Sequence, residues 1–114
     1  MKTLKYYFEY CASTPFWVGA DFEFISYDSL AISNYLKKEI KELQDEFQST
    51  YNQVDGRESG FSDIIQEGIW AHRVLFSADI LKAELKNKYD VIFKKWYYEY
   101  PIQRMNEYLN KKYY

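Results

Sequence analysis

Hydrophobic and polar residues alternate near the start of the chain, and this period of two predicts a β-strand over residues 4–10. Its buried face would hold Leu4, Tyr6, Phe8 and Tyr10. Turn-forming residues follow over residues 11–20, which we interpret as a loop. Residues 21–27 alternate again, with Phe22 and Phe24 on one side. This pattern leaves a short strand and an ordered loop as equal alternatives.

From residue 33 the hydrophobic period lengthens to three or four residues. It predicts an amphipathic helix over residues 33–52, with Ser33 as its N-cap. The apolar stripe of this helix contains Leu36, Ile40, Leu43, Phe47 and Tyr51. A glycine-containing loop separates it from a second helix, predicted over residues 62–88 and capped by Ser62 or Asp63. The stripe of the second helix contains Ile65, Ile69, Phe76 and Ile80, joined by Leu75, Leu81 and Leu85.

Two further elements are predicted in the last quarter of the chain. Three consecutive apolar residues, Val91, Ile92 and Phe93, predict a buried central strand over residues 90–96. A short helix is predicted over residues 101–112, with Pro101 at its first position, which suits proline. The expected fold class is α+β in a single domain over residues 1–114. A small antiparallel sheet of two or three strands would be packed by an α-helical hairpin and a short C-terminal helix.

The composition excludes a disordered chain, because 47% of the 114 residues are hydrophobic and 21% are aromatic. Thirteen tyrosines suit either an interaction surface or a codon usage that favours tyrosine, and the sequence leaves both explanations open. A net charge of −2 gives no sign of a nucleic-acid or acidic-membrane partner. The single cysteine excludes an internal disulfide. No leader peptide or membrane-spanning segment is recognisable, so the chain is expected in the cytoplasm.

The candidate catalytic side chains lack the neighbours that catalysis needs. His72 is the only histidine, and the nearest acids along its helix, Glu67 and Asp79, do not adjoin it. Cys11 follows the first strand, and a lone cysteine is more often a small buried side chain than a nucleophile. The loop carboxylates lack the spacing of a calcium-binding loop. We therefore expect no enzymatic activity, no metal site, no cofactor and no small-molecule substrate.

The end of the chain mixes basic and aromatic residues. Its basic residues are Lys94, Lys95, Arg104, Lys111 and Lys112, interleaved with one tryptophan and six tyrosines. Such a mixture is typical of single-stranded nucleic-acid binding, where bases stack on rings beside phosphate-attracting charges. An amphipathic helix with packed rings and solvated lysines also explains it, and the small excess of +2 over residues 89–114 favours that explanation. A nucleic-acid or ribonucleoprotein-binding module is therefore the alternative function.

An aromatic loop precedes an acidic and aromatic run, and together they form the most distinctive candidate surface. Large apolar side chains on loops are either buried in the core or presented to a partner, and both remain open for Trp17. Acids around the rings suit a basic protein partner, because complementary charge speeds association and fixes register. We predict one partner-binding face, built from this run and the loop between the helices. Its residues would be Trp17, Asp21, Glu23, Asp28, Asp55, Arg57 and Glu58.

Several short segments together resemble a known family. They are residues 6–10 (YYFEY), Trp17, residues 28–33 (DSLAIS), and then Glu67, Trp70, Phe76, Leu81, residues 84–85 and residues 89–91. Over residues 4–93 the chain resembles small immunity proteins encoded beside bacterial polymorphic toxins, including contact-dependent growth inhibition systems. It departs from them at residues 30–33, which read LAIS where an LPLS-like sequence is typical, and in its aromatic C-terminal extension.

The resemblance implies a cytoplasmic protein that binds a cognate toxin domain, often a nuclease. Such a protein neutralises the toxin by covering its active site or by binding elsewhere on it. No contact residue is transferred from the family, because these proteins vary most at their binding surface. The seven site residues above therefore come from charge and aromaticity alone.

Overall fold

The computed structural model describes residues 1–21 and 23–114, so Phe22, assigned above to one side of an alternating segment, lies outside the described residues. The described part contains four β-strands: β1 (Lys2–Tyr6), β2 (Phe16–Val18), β3 (Glu23–Phe24) and β4 (Tyr89–Ile92). It contains three α-helices: α1 (Asn34–Ser49), α2 (Ile64–Glu84) and α3 (Trp96–Tyr113). The predicted α+β class is confirmed.

The strands form one mixed sheet in the order β3-β2-β1-β4. β1 pairs antiparallel with β2, which places Lys5 opposite Trp17, and β2 pairs antiparallel with β3. β4 pairs parallel with β1, with Leu4 opposite Val91. The prediction of an antiparallel sheet of two or three strands is therefore wrong in the number of strands and in the direction of β4.

The direction and position of β4 follow from the helices that precede it. α1 leads the chain away from the end of the sheet where β1 begins, and α2 brings it back, so β4 enters alongside β1 in the same direction. β4 lies at the edge of the sheet, which corrects the predicted central strand. Its apolar residues are not all buried: Val91 is half-buried, whereas Ile92 is exposed.

Two capping residues fix where α1 and α2 begin. The Ser33 hydroxyl accepts a hydrogen bond from the Leu36 amide (3.3 Å), which confirms the predicted N-cap of α1. Glu84, the last residue of α2, accepts hydrogen bonds from the Ser33 amide (2.6 Å) and hydroxyl (3.0 Å), tying the two helices together. Asp63 caps α2 by accepting from two amides of its first turn (2.8 and 3.2 Å). Both helices end earlier than predicted, at Ser49 and Glu84.

α3 is longer than predicted because its first turn contributes a ring to the core. The helix begins at Trp96, so Pro101 lies within it and not at its first position. Tyr98 is buried, stacks on Phe93 (ring centroids 5.1 Å apart, 6° between planes) and meets Trp70 at 5.8 Å. Burial of this ring positions the first turn of the helix before the proline. Consequently the strand predicted over residues 90–96 is shorter in the structure, where β4 ends at Ile92.

The core lies between the sheet and the helices. Its fully buried side chains come from every layer: Leu4, Tyr6, Phe16, Leu30, Ile40, Leu43, Val74, Leu81 and Leu85. The Tyr6 hydroxyl is hydrogen-bonded to the Ser77 hydroxyl (2.7 Å), which ties the sheet to α2. The Trp70 indole donates to the Leu43 carbonyl (3.0 Å), which ties α2 to α1. Leaving a buried polar group without a hydrogen-bond partner lowers the stability of the fold. These two bonds therefore favour one arrangement of the sheet and the helices.

Candidate partner-binding surfaces

The predicted acidic residues of the β2–β3 hairpin lie at one edge of the sheet. Trp17 is half-buried: its indole donates to the Tyr7 carbonyl (3.0 Å), and its ring meets Phe24 edge-on (5.6 Å, 88°). Asp21 in the turn and Glu23 on β3 are exposed. Part of the Trp17 ring therefore packs against the protein and part faces solvent, so both core packing and contact with a partner remain open for this residue.

Asp28 follows the β2–β3 hairpin along the chain. It lies in a short 3-10 turn, Tyr27–Ser29, that leads towards α1. Its carboxylate is 3.7 Å from the Lys37 ammonium in the first turn of α1 and is otherwise open to solvent. An exposed pair at this distance contributes little to stability, so the Asp28 carboxylate remains free to contact a partner. We call Trp17, Asp21, Glu23 and Asp28 the hairpin surface.

The other three predicted residues lie in the loop between α1 and α2. Asp55 accepts hydrogen bonds from the Arg57 amide (3.1 Å) and from the Arg57 side chain at Nε (3.2 Å). The Arg57 side-chain hydrogen bond, followed by the amide hydrogen bond, lowers the pKa of the exposed Asp55 carboxyl. This local pair holds the 3-10 turn Gly56–Glu58, and Glu58 is exposed beside it.

The structure does not bring the seven predicted residues into one surface. α1 has 16 residues and is therefore about 24 Å long. Asp28 contacts Lys37 near the beginning of α1, whereas the loop follows its end, where the Thr50 hydroxyl bonds the Tyr10 hydroxyl (2.6 Å). Asp28 and the inter-helix loop thus lie towards opposite ends of α1. Contact with a partner stays a prediction for both groups.

The basic and aromatic tail forms α3, and its residues divide between packing and exposure. Tyr98 and Met105 are buried, whereas Trp96 and Tyr100 are exposed. Arg104 lies 3.6 Å from the Glu67 carboxylate of α2. Since that contact offsets one of the few positive charges, the helix attracts phosphate less than its sequence indicates.

His72 and Cys11 lie on different elements. His72 is exposed on α2. Cys11 has a positive φ of 65°, and its amide donates to the Gln48 side chain (3.0 Å) at the end of α1. Among residues 1–21 and 23–114, no group of three or more His, Cys, Asp and Glu side chains is placed to hold a metal ion. No helix in this described part of the chain is long and apolar enough to cross a membrane.

Sequence reasoning missed an apolar surface on α2. Three residues of the stripe assigned to this helix are exposed, Ile69 by 53%, Phe76 by 71% and Ile80 by 47%, whereas Leu81 and Leu85, assigned to the same stripe, are fully buried. The helix buries its opposite side instead, through Trp70, Ala71, Val74, Ala78 and Leu81. A helix that is apolar on both sides is normally covered on both sides. We call Ile69, Phe76 and Ile80 the outer face of α2.

A groove runs between the outer face of α2 and the first half of α1. It has a volume of about 190 Å³, and Tyr35, Leu36, Glu39, Phe76 and Ile80 are among its lining residues. The Tyr35 ring, exposed by 80%, forms its outer wall. The groove is therefore an apolar depression large enough for one side chain of a partner.

Three carboxylates on α1 share one arginine, and one of them, Glu39, lines this groove. Arg73 of α2 donates to Glu39 through Nη2 (2.6 Å) and Nε (3.0 Å). Its guanidinium also lies 3.3 Å from Glu42 and 3.8 Å from Glu46. The Glu39 hydrogen bonds raise the pKa of Arg73, which therefore stays charged. Around the groove and its neighbouring depression, the carboxylates of Glu39, Glu42 and Glu84 lie near the cations of Arg73 and Lys38, so the rim has a net charge of −1.

A second concave site, the aromatic cleft, lies between the end of β1, the inter-helix loop and α3. It has a volume of about 220 Å³, and its rings include Tyr7, Tyr10, Phe47, Phe61, Trp70 and Tyr97. Trp70 stacks on Phe47 (5.5 Å, 20°) at its base. The Glu67 carboxylate lines the cleft and is the one that Arg104 contacts. Four of the thirteen tyrosines, Tyr7, Tyr10, Tyr97 and Tyr98, thus line this cleft, whereas others, such as Tyr35, are exposed elsewhere.

Comparison with known proteins adds one match. A protein-family model described as Serratia CdiI immunity protein-like matches residues 2–96. The match covers the sheet, α1 and α2, and it stops where α3 begins. No curated protein matches the chain. The hairpin surface, the inter-helix loop and the outer face of α2 all lie within the matched residues.

Proposed function

Because the chain belongs to the Serratia CdiI immunity protein-like family, we propose that it neutralises a cognate toxin domain by binding it directly. The proposed toxin is a nuclease, and the site of action is the cytoplasm, where nucleic-acid substrates are found. Nucleases bind a polyanion and present basic surfaces, to which an acidic inhibitor is complementary. In this function the chain acts by contact alone and performs no chemistry.

The observation that carries this proposal is the exposed outer face of α2. Phe76, Ile69 and Ile80 present apolar side chains on a rigid helix, next to the carboxylate row of α1. Apolar and aromatic anchors at the centre of an interface supply most of its binding free energy. A complex of ordinary size needs only about 800 Å² from each partner, which is about a tenth of the 7602 Å² surface of the protein.

The hairpin surface is a second proposed contact region for the same toxin. Asp21 and Glu23 are exposed and acidic, so they add long-range attraction for a basic partner. Glu58 lies towards the other end of α1 and is proposed as a contact only if the toxin spans the length of that helix.

The test is a co-purification of the tagged protein with the product of the gene immediately upstream, followed by size-exclusion chromatography with light scattering. A stable 1:1 complex that abolishes the toxicity of the neighbour is expected. In Phe76→Asp the dissociation constant is expected to rise at least about 30-fold, because a charge replaces an interface anchor. Its melting temperature should change by no more than about 4 °C, since the side chain is exposed in the free protein.

Tyr100→Asp is the matched control. Tyr100 is exposed by 62%, similar to Phe76, but it lies on α3 outside the residues that the family matches. Its affinity for the toxin is expected to be unchanged. If Tyr100→Asp loses binding and Phe76→Asp keeps it, the contact surface is on α3 and the outer face of α2 is not the binding face. If wild-type protein forms no complex and gives no protection, the proposed function is wrong.

A further inference from the structure

Resting on the proposed function, we propose that the groove between α1 and α2 receives a segment of the toxin that carries an apolar side chain next to a lysine or arginine. The apolar side chain occupies the groove between Tyr35, Phe76 and Ile80. The cationic side chain binds Glu42 on the rim.

The shape and lining of the groove define the apolar part of the occupant. Its floor is Leu36 of α1, and its walls are the exposed rings and chains of Tyr35, Phe76 and Ile80. At about 190 Å³ the groove holds one large aliphatic or aromatic side chain. When that side chain enters the groove, its apolar surface and that of the walls are both removed from water. The free energy gained is proportional to the apolar area buried.

The charges on the rim define the polar part of the occupant, and they single out Glu42. Glu39 already holds Arg73 through both of its oxygens (2.6 and 3.0 Å). Glu42 shares Arg73 through one contact of 3.3 Å and keeps 53% of its side chain exposed. It also borders a shallow depression of about 120 Å³ with Tyr35 and Lys38. A carboxylate beside an exposed tyrosine ring is a favourable place for an ammonium or guanidinium group.

Charge complementarity also argues against a second copy of this chain as the occupant. A symmetric dimer through the groove would place the same negative rim opposite itself. Like charges across an interface cost free energy, whereas a basic partner gains from the same rim. The toxin segment is therefore the occupant to which we commit.

Glu42→Gln and Glu46→Gln form a matched pair for the test. Both residues lie on α1, both approach Arg73, and both substitutions remove one charge. Glu46 lies about one helical turn further from the groove, is only 26% exposed and already accepts a hydrogen bond from Gln66 (3.2 Å). The dissociation constant of the toxin complex, measured by calorimetry, is expected to rise about tenfold in Glu42→Gln and less than about twofold in Glu46→Gln. The affinity of Glu42→Gln should also depend less on salt than that of the wild type.

The outcomes separate this inference from the proposed function. Equal effects of the two substitutions, or none, in a wild-type complex that is tight and protective would overturn the groove inference and leave the immunity function standing. A self-associating protein whose dimer is lost in Phe76→Asp would overturn it as well, because the occupant would then be a second copy. Absence of any wild-type complex would overturn both proposals together.

Discussion

Gly68 lies where α3 crosses α2, and its substitution by alanine tests how closely the two helices pack. Gly68 and Met105 are both buried. A Cβ atom added at Gly68 would contact the Met105 sulfur and would lie 2.7 Å from Met105 Cβ and 2.9 Å from Met105 Cε. The sulfur and Cε can move through a change of rotamer. Met105 Cβ is fixed to the backbone, so α3 itself must shift.

Two opposing effects decide the sign of Gly68→Ala. Alanine is favoured over glycine in a helix interior by about 1 kcal/mol. Overpacking that forces a backbone shift costs about 1–3 kcal/mol, and the contact with a backbone-fixed atom places this site in the upper part of that range. Gly68→Ala is therefore expected to lower the free energy of unfolding by about 1–2 kcal/mol.

Urea denaturation followed by far-UV circular dichroism measures this change. The difference between His72→Gly and His72→Ala, at an exposed interior position of the same helix, calibrates the propensity effect alone and should be about 1 kcal/mol. In a Met105→Ala background most of the cost of Gly68→Ala should remain, because alanine keeps the Cβ atom that is fixed to the backbone and loses only the atoms that can move aside. If Gly68→Ala raises the stability by about 1 kcal/mol, propensity alone governs the site and the close packing of α3 is refuted.

Two further predictions concern the buried tyrosines. Ser77→Ala is expected to cost about 1–3 kcal/mol because it leaves the Tyr6 hydroxyl buried without its partner, whereas Tyr6→Phe should cost about 1 kcal/mol, since the Ser77 hydroxyl still donates to the Val74 carbonyl (2.7 Å). Chemical denaturation ranks the two variants, and the opposite order would contradict the argument. Burial raises the pKa of Tyr6, Tyr27 and Tyr98, so the folded state favours their neutral forms. The resulting stability should be fully present below about pH 10, the ordinary tyrosine pKa, and lost as the pH rises towards the raised values. Melting temperatures measured from pH 8 to 11.5 should fall at the alkaline end, and a flat profile would exclude a contribution from these groups.

Features that depend on neighbouring residues could be predicted from the sequence. Ser33 was recognisable as a cap, and Asp63 as one of two candidates with Ser62, because a capping hydrogen bond joins residues two or three positions apart. The period of three or four residues that identified α1 and α2 is likewise a pattern among residues close together in the sequence. Pro101 shows the limit of such rules: proline favours a first turn locally, but burial of Tyr98 against residues far along the chain moves the start of α3.

Features that depend on distant segments could not be predicted from these patterns. The direction of β4 follows from its pairing with β1, and nothing local to β4 records that partner. The separation of Asp28 from Asp55 follows from the length and direction of α1. On α2 the sequence shows too many apolar residues for one face, but only the packing shows that Trp70 is covered and Phe76 is not.

The parallel pairing of β1 with β4 has a consequence for synthesis of the chain in the cell. β1 is made well before β4, and Lys2 lies opposite Tyr89, so one side of β1 keeps unpaired amides and carbonyls until residues 89–92 have left the ribosome. Pairing across such a long stretch slows folding, because the chain must close a large loop before the contacts form. A premature stop before β4 leaves an open sheet edge that is prone to aggregation. A copy that ends before β4 would therefore lack the complete sheet, and any activity that depends on this fold would require a chain that extends through residue 92.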